Sequence, residues 1–225
     1  MAQGPAEAAG AKLWDLPTRI VHWALVVLVL VAWFSGGENM QLHRWTGYTI
    51  LGLLVFRLWW GVAGGSTARF ASFIKGPGAT LAYVRTLGQR KAADVPGHNP
   101  LGAWSVVAMI LALVAQVSLG LFASDIDGIE SGPLSHLVDF DTSRAMAEWH
   151  ELVFRVLQAL IALHIAAVAF YLVYKRQNLI AAMVTGRSRS VTSESGLVAA
   201  PLWRLAVGLV LAVAVAWAVA KGFRF

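Results

Sequence analysis

Of the residue types that ligate metals or move protons near neutral pH, this chain carries six histidines and no cysteine. Four of them, His22, His43, His150 and His164, lie within or at the ends of long apolar stretches. An ionisable side chain is costly there and by default has a function and a partner. His150 and His164 stand 14 positions apart. On a helix that is about 21 Å of rise and a rotation within roughly 40° of alignment, so the two share a face at two depths. Imidazoles offered in pairs from facing helices suit the two axial positions of a haem iron. A structural zinc site wants four N or S ligands close together, and two histidines per level are too few. Proton relay is the remaining use. With no cysteine there is no disulfide, no cysteine-ligated iron–sulfur cluster and no C-x-x-C-H attachment of a c-type haem.

The elements that must position these residues are membrane spans. Apolar side chains make up 58% of the 225 residues and charged ones 13%, where a soluble domain runs near a quarter charged. Five runs are long enough to cross a bilayer at about 20 residues each. They fall at about 17–36, 43–62, 101–122, 146–174 and 202–220. The expected fold is all-α, a transmembrane helical bundle with a four-helix di-haem core at 1–185, a polar linker at 186–200 and an additional helix with a short tail at 201–225. The first run has no clear small-residue cleavage site and four more spans follow, so it reads as a retained helix rather than a signal peptide.

Basic residues favour the cytoplasmic side. Arg69, Lys75, Arg85, Arg90 and Lys91 lie between spans two and three, and Lys175, Arg176, Arg187, Arg189 and Arg204 follow span four. Between spans three and four stand Asp125, Asp127, Glu130, Asp139, Asp141 and Glu148 against Arg144 alone. The expected topology therefore has a cytoplasmic N-terminus and a C-terminus on the outer side. In that topology His43 and His150 form an outer pair and His22 and His164 an inner pair, which implies two haems. The basic residues that give the net charge of +6 sit in short segments between apolar runs rather than in one stripe, which excludes nucleic acid as the partner.

Haem propionates are anionic and prefer basic partners, and Arg19 near His22, Arg44 beside His43, and Arg57 and Arg155 within spans are the candidates, Arg155 the best of them. For Arg155 the alternative is pairing with a glutamate. Gly47, one turn after His43, would admit a flat macrocycle, and helix packing explains it equally well. His98 and Asn99, just before span three, either cap that helix or face a quinone headgroup. His136, in the outer loop, reads as solvated.

The string WDLPTRIVHW at Trp14–Trp23, LHRWTGY around His43, GHNPLGAW at Gly97–Trp104 and WHELVFRVLQALIALH with its histidine pair resemble the bacterial cytochrome b561 family. Within it the chain is most similar to the branch that includes the b-type cytochrome subunit of nickel-iron hydrogenases. The likeness covers about residues 12–185. It implies a four-helix bundle with two non-covalent b haems held by His22, His43, His150 and His164. It also implies electron transfer between a membrane quinone pool and an outer-side redox protein such as a cytochrome c or a hydrogenase-like subunit. The fifth span, and the loop from Gly64 to Pro100, depart from that core. The fifth helix could contact a partner subunit or another copy in a homo-oligomer.

Two rival functions differ in class. A transmembrane oxidoreductase serving a small acceptor, ferric iron or superoxide, needs no protein partner. Ferric reductases carry the 14-residue histidine pair on two helices, whereas here span four alone has it. The acidic outer loop would repel superoxide. A histidine-based proton pathway or transporter would show broken helices or inverted repeats, and neither is evident.

Overall fold

A computed structural model describes residues 11–90, 97–188 and 197–224. Among them are eight α-helices: α1 (Leu16–Ser35), α2 (Met40–Ala63), α3 (Phe70–Phe73), α4 (Pro77–Arg85), α5 (Pro100–Phe122), α6 (Phe140–Val173), α7 (Leu179–Thr185) and α8 (Leu202–Ala220). The only sheet among these residues is a two-residue antiparallel pairing of β1 (Ala11–Lys12) with β2 (Arg187–Ser188). Five helices, α1, α2, α5, α6 and α8, are long and apolar enough to cross a membrane. The fold is the expected all-α transmembrane helical bundle. Residues 189–196 of the polar linker, which include Arg189, and Lys91 of the basic loop lie outside the described residues.

The helices begin where short polar side chains can accept their unpaired first-turn amides. Asp15 accepts from Thr18 N, Asn39 from Leu42 N, Asn99 from Gly102 N, Asp139 from Thr142 N and Asn178 from Ala181 N, all at 2.8–2.9 Å. These caps explain why α2 and α6 start before the apolar runs expected at 43 and 146. The cap, not the first apolar residue, sets the boundary. With 34 residues, α6 is about 51 Å long against a hydrocarbon core of about 30 Å, so it projects beyond the bilayer or tilts within it.

The chain forms two compact units, and each of the long helices α1, α2, α5 and α6 contributes a segment to both. The first comprises, among the described residues, 11–20, 59–90, 97–107, 162–188 and 197–205. Its centre is the segment before α1. Asp15 accepts a hydrogen bond from Trp60 Nε1 at 2.9 Å, Leu13 O accepts from Thr67 Oγ1 at 2.6 Å, and Leu13, Trp14 and Ala182 form a buried cluster. Arg19 donates to the main-chain oxygens of Met183 and Val184 at the end of α7. Gly186 closes α7 with φ +77°, and a Cβ there would lie 2.9 Å from Trp14 O, so this position needs glycine twice over.

The second unit comprises residues 21–58, 108–161 and 206–225. Ile50 and Leu54 of α2, Leu113 of α5 and Leu157 of α6 form its core, with Leu25, Leu28 and Val29 of α1 packed against it. Leu54 and Leu157 are its fully buried side chains. The segment of α8 in this unit packs on α2, since a Cβ on Gly52 would meet Ala212 O at 3.4 Å. Outward-facing Val27, Leu111, Val156 and Val213 are exposed, as lipid-facing surface requires.

Candidate functional site

His43 and His150 meet inside the second unit, with ring centroids 6.1 Å apart and an interplanar angle of 79°. His43 stands one turn into α2, and its Nδ1 lies 2.9 Å from the main-chain oxygen of Ala32 on α1. His150 lies on α6, and its Nδ1 is 2.8 Å from the main-chain oxygen of Gln116 on α5. A carbonyl can only accept, so in both rings Nδ1 carries the proton and Nε2 keeps its lone pair. Metal-ligating histidines are oriented in this way, by a hydrogen bond from the nitrogen that does not bind the metal. The Nε2 of His150 accepts from the side-chain amide of Gln116 at 3.0 Å.

The spacing of the ring centres is that of two imidazoles sharing one iron. A metal–imidazole bond is about 2.0 Å and the ring centre lies about 1 Å further on, so rings on opposite faces of one iron have centres about 6 Å apart. Small residues line the pair. A Cβ on Gly36 would sit 3.5 Å from His43 Nδ1, one on Gly120 would sit 2.8 Å from His150 Cε1, and one on Gly47 would meet nothing within 4 Å. Among the described residues no three His, Cys, Asp or Glu side chains converge as a structural zinc site would require.

The other sequence-chosen residues are distributed as follows. His22, in the second unit, packs edge-on against Trp23 with centroids 5.2 Å apart. His164, in the first unit, is half-buried on α6. Arg44 forms an ion pair with Glu130, Arg155 with Glu151 one turn earlier on the same helix, and Arg19 serves the end of α7. Thus Arg155 makes the glutamate pairing weighed above, and each of the three arginines already has an acceptor within the protein. Asn99 caps α5 and donates from its amide to Tyr171 Oη at 3.0 Å. His98 lies between Trp14 and Phe73, with ring centroids at 4.7 and 4.6 Å. His136 is exposed on a short turn before α6.

Sequence reasoning missed Gln116, Gly120 and Glu130. The signal for Gln116 was present, since it is the sole amide side chain in the apolar run of α5. The Ala32 and Gln116 carbonyls left no trace in residue types.

The fold and this site define a multi-pass helical membrane protein with two tautomer-fixed histidines opposed inside one of its units. Residues 13–186, the greater part of the chain, match the family model described as prokaryotic cytochrome b561. The chain belongs to that family. It is therefore a membrane-embedded b-type cytochrome of electron transfer, in a family whose cofactor is haem b. The match ends at Gly186, so α8 lies beyond it. Neither the curated proteins nor the solved structures contain a match to the chain.

Proposed function

We propose that this protein holds two b haems and conducts electrons between the membrane quinone pool and a redox protein on the periplasmic side. The observation that carries this reading is the His43–His150 pair, with both Nδ1 atoms bound to carbonyls and the rings 6.1 Å apart. These two histidines are the proposed outer axial ligands. His22 and His164 are the proposed inner ones, supported by the 14-residue spacing along a continuous α6. The excess of Lys and Arg between α2 and α5 supports a cytoplasmic N-terminus and a periplasmic C-terminus.

Bound haem supplies reversible one-electron chemistry. The chain's own groups hold it and limit it. Ala32 O and Gln116 O keep each outer imidazole in the tautomer that presents Nε2. Two histidines on one iron would leave no open position, which would favour electron transfer over oxygen binding. Leu54 and Leu157 exclude water from the middle of the second unit. His98, with Asn99 holding the start of α5 beside it, is the proposed neighbour of the quinone headgroup.

The test is a reduced-minus-oxidised visible spectrum with haem quantified per chain, for the wild type and for His22→Ala, His43→Ala, His150→Ala and His164→Ala. Two haems falling toward one in each variant are expected. A wild type without haem under adequate haem supply would overturn the ligand set and return the histidines to a proton pathway. For the quinone, His98→Ala should slow quinone-coupled turnover at unchanged haem content, and normal turnover removes His98 from that role.

A further inference from the structure

The segment joining α5 to α6 carries a small hairpin in the second unit. Ser124 and Ser131 form an isolated antiparallel bridge, Asp125 N donates to Glu130 O at 3.0 Å, and Gly128, at φ +70°, turns the chain. Its base is firmly tied. Gly132 N donates to Ala123 O at 2.8 Å, Leu134 N to Leu121 O at 2.9 Å, and Arg144 to Ser124 O at 3.2 Å. Its tip is the opposite, because Ile126 is 75% exposed and Ile129 80% exposed. Phe140, 53% exposed, stands beside the turn, 3.6 Å from where a Cβ on Gly128 would lie.

Three exposed apolar side chains, two on a braced loop and one at the start of α6, are a contact surface that nothing among the described residues covers. Two observations indicate what covers it. From Ser124 to Phe140 the chain has four carboxylates, Asp125, Asp127, Glu130 and Asp139, and no Lys, Arg, Trp or Tyr. A loop that enters the bilayer interface carries the Trp, Tyr, Lys and Arg missing here, and anionic headgroups would repel its carboxylates. The second observation is the link to the proposed site. Glu130, at the base of the hairpin, pairs with Arg44, the residue next to His43.

We propose that the Ser124–Ser131 hairpin is the docking tip for a soluble redox protein that presents an apolar patch ringed by basic side chains. This rests on the electron-transfer reading above and specifies its outer partner by chemistry. Ile126, Ile129 and Phe140 form the apolar centre, and Asp127 supplies attraction at longer range. Transient electron-transfer complexes bury little area, which suits a contact of three side chains. Charge around such a contact sets mainly the rate of encounter.

The test uses full-length haem-loaded protein, reduced chemically and freed of reductant, mixed in a stopped-flow instrument with an oxidised mono-haem cytochrome c whose haem edge is ringed by lysines. One electron leaves this protein's haem and reduces the cytochrome haem. The double variant Ile126→Ser with Ile129→Ser should lower the second-order rate about tenfold with haem spectrum and content unchanged. Asp127→Lys should lower it about threefold at low ionic strength and have little effect at high salt.

Unchanged rates in both variants would overturn the docking role while leaving electron transfer standing. A wild type that takes electrons from quinol but gives none to the cytochrome would also overturn the basic partner, with the haem reading intact. A wild type without haem fails the underlying reading instead. Ile129→Cys, the one thiol in a chain without cysteine, carrying a fluorescent label, distinguishes the bilayer. Quenching of its fluorescence by brominated lipid would assign the tip to the membrane and overturn the proposal, and fluorescence unaffected by brominated lipid supports it.

Discussion

His150 and Gln116 are joined twice, once through the ring Nδ1 and the glutamine's main-chain oxygen at 2.8 Å, and once through the ring Nε2 and its side-chain amide at 3.0 Å. The two contacts have opposite consequences. The first fixes the tautomer in which Nε2 is able to bind iron. The second occupies that same nitrogen, and it leaves Gln116 Oε1 buried without a hydrogen-bond partner. A side-chain substitution separates them, because the main-chain oxygen survives it.

Gln116→Leu should therefore keep haem content at the wild-type level and speed haem uptake by the apoprotein. The leucine removes both the competitor for Nε2 and an unsatisfied buried acceptor, a group that costs about 1–3 kcal/mol. Haemin titration of haem-depleted protein, followed at the Soret band, measures this. Loss of one haem from Gln116→Leu would show that the side chain, not the carbonyl, orients His150.

Gly120→Ala should act the other way. The added Cβ would lie 2.8 Å from Cε1 of a ring already held by two hydrogen bonds. Overpacking of this kind costs about 1–3 kcal/mol. On the proposed two-haem reading, haem per chain should fall from two toward one, with the spectrum of the remaining haem unchanged. Full haem content in Gly120→Ala would mean that His150 can shift without losing its ligand geometry.

These residues show which parts of the site residue types can reveal. His43 and His150 were legible because imidazoles in apolar runs are rare and these two fall at matching depths. Their orientation was not, because it depends on carbonyls of Ala32 and Gln116 that any residue could supply. The five spans were legible from length and apolar content. The starts of α2 and α6 were not, because capping by Asn39 and Asp139 extends a helix into polar sequence. Much of the WDLPTR string has structural duties that resemblance alone did not separate from haem binding. Asp15 caps α1 and binds Trp60, and Arg19 holds the end of α7.

The cap on α6 carries a pH signature. Hydrogen bonds from the Thr142 main-chain amide and then from its hydroxyl hold the Asp139 carboxyl below the usual carboxylate range. A depressed folded pKa means that the ionised form stabilises the fold. The contribution is fully present above the unfolded value of about 3.9 and is lost as the pH falls through the lower folded value. The melting temperature of Asp139→Ala should thus lie below wild type at neutral pH, with the gap closing in strong acid. A gap independent of pH would mean that the carboxylate charge is not what the helix start uses.

The Arg44–Glu130 ion pair places a compensated charge beside a proposed haem ligand. Glu130→Gln leaves the guanidinium unneutralised, and positive charge favours the electron-rich reduced state. The midpoint potential of the proposed outer haem should rise, while that of the proposed inner haem stays where it was. Both side chains are about a third or more exposed, at 32% and 42%, so solvent screens the effect. An exposed pair is worth about 0.2–1 kcal/mol, and for one electron 0.5 kcal/mol corresponds to on the order of 20 mV. Potentiometric titration of wild type, Glu130→Gln and the double variant Glu130→Gln with Arg44→Gln checks the assignment. The double variant should return toward the wild-type potential, because it removes both charges. If both haems shift equally, the charge acts on the protein as a whole and Arg44 is no closer to one haem than to the other.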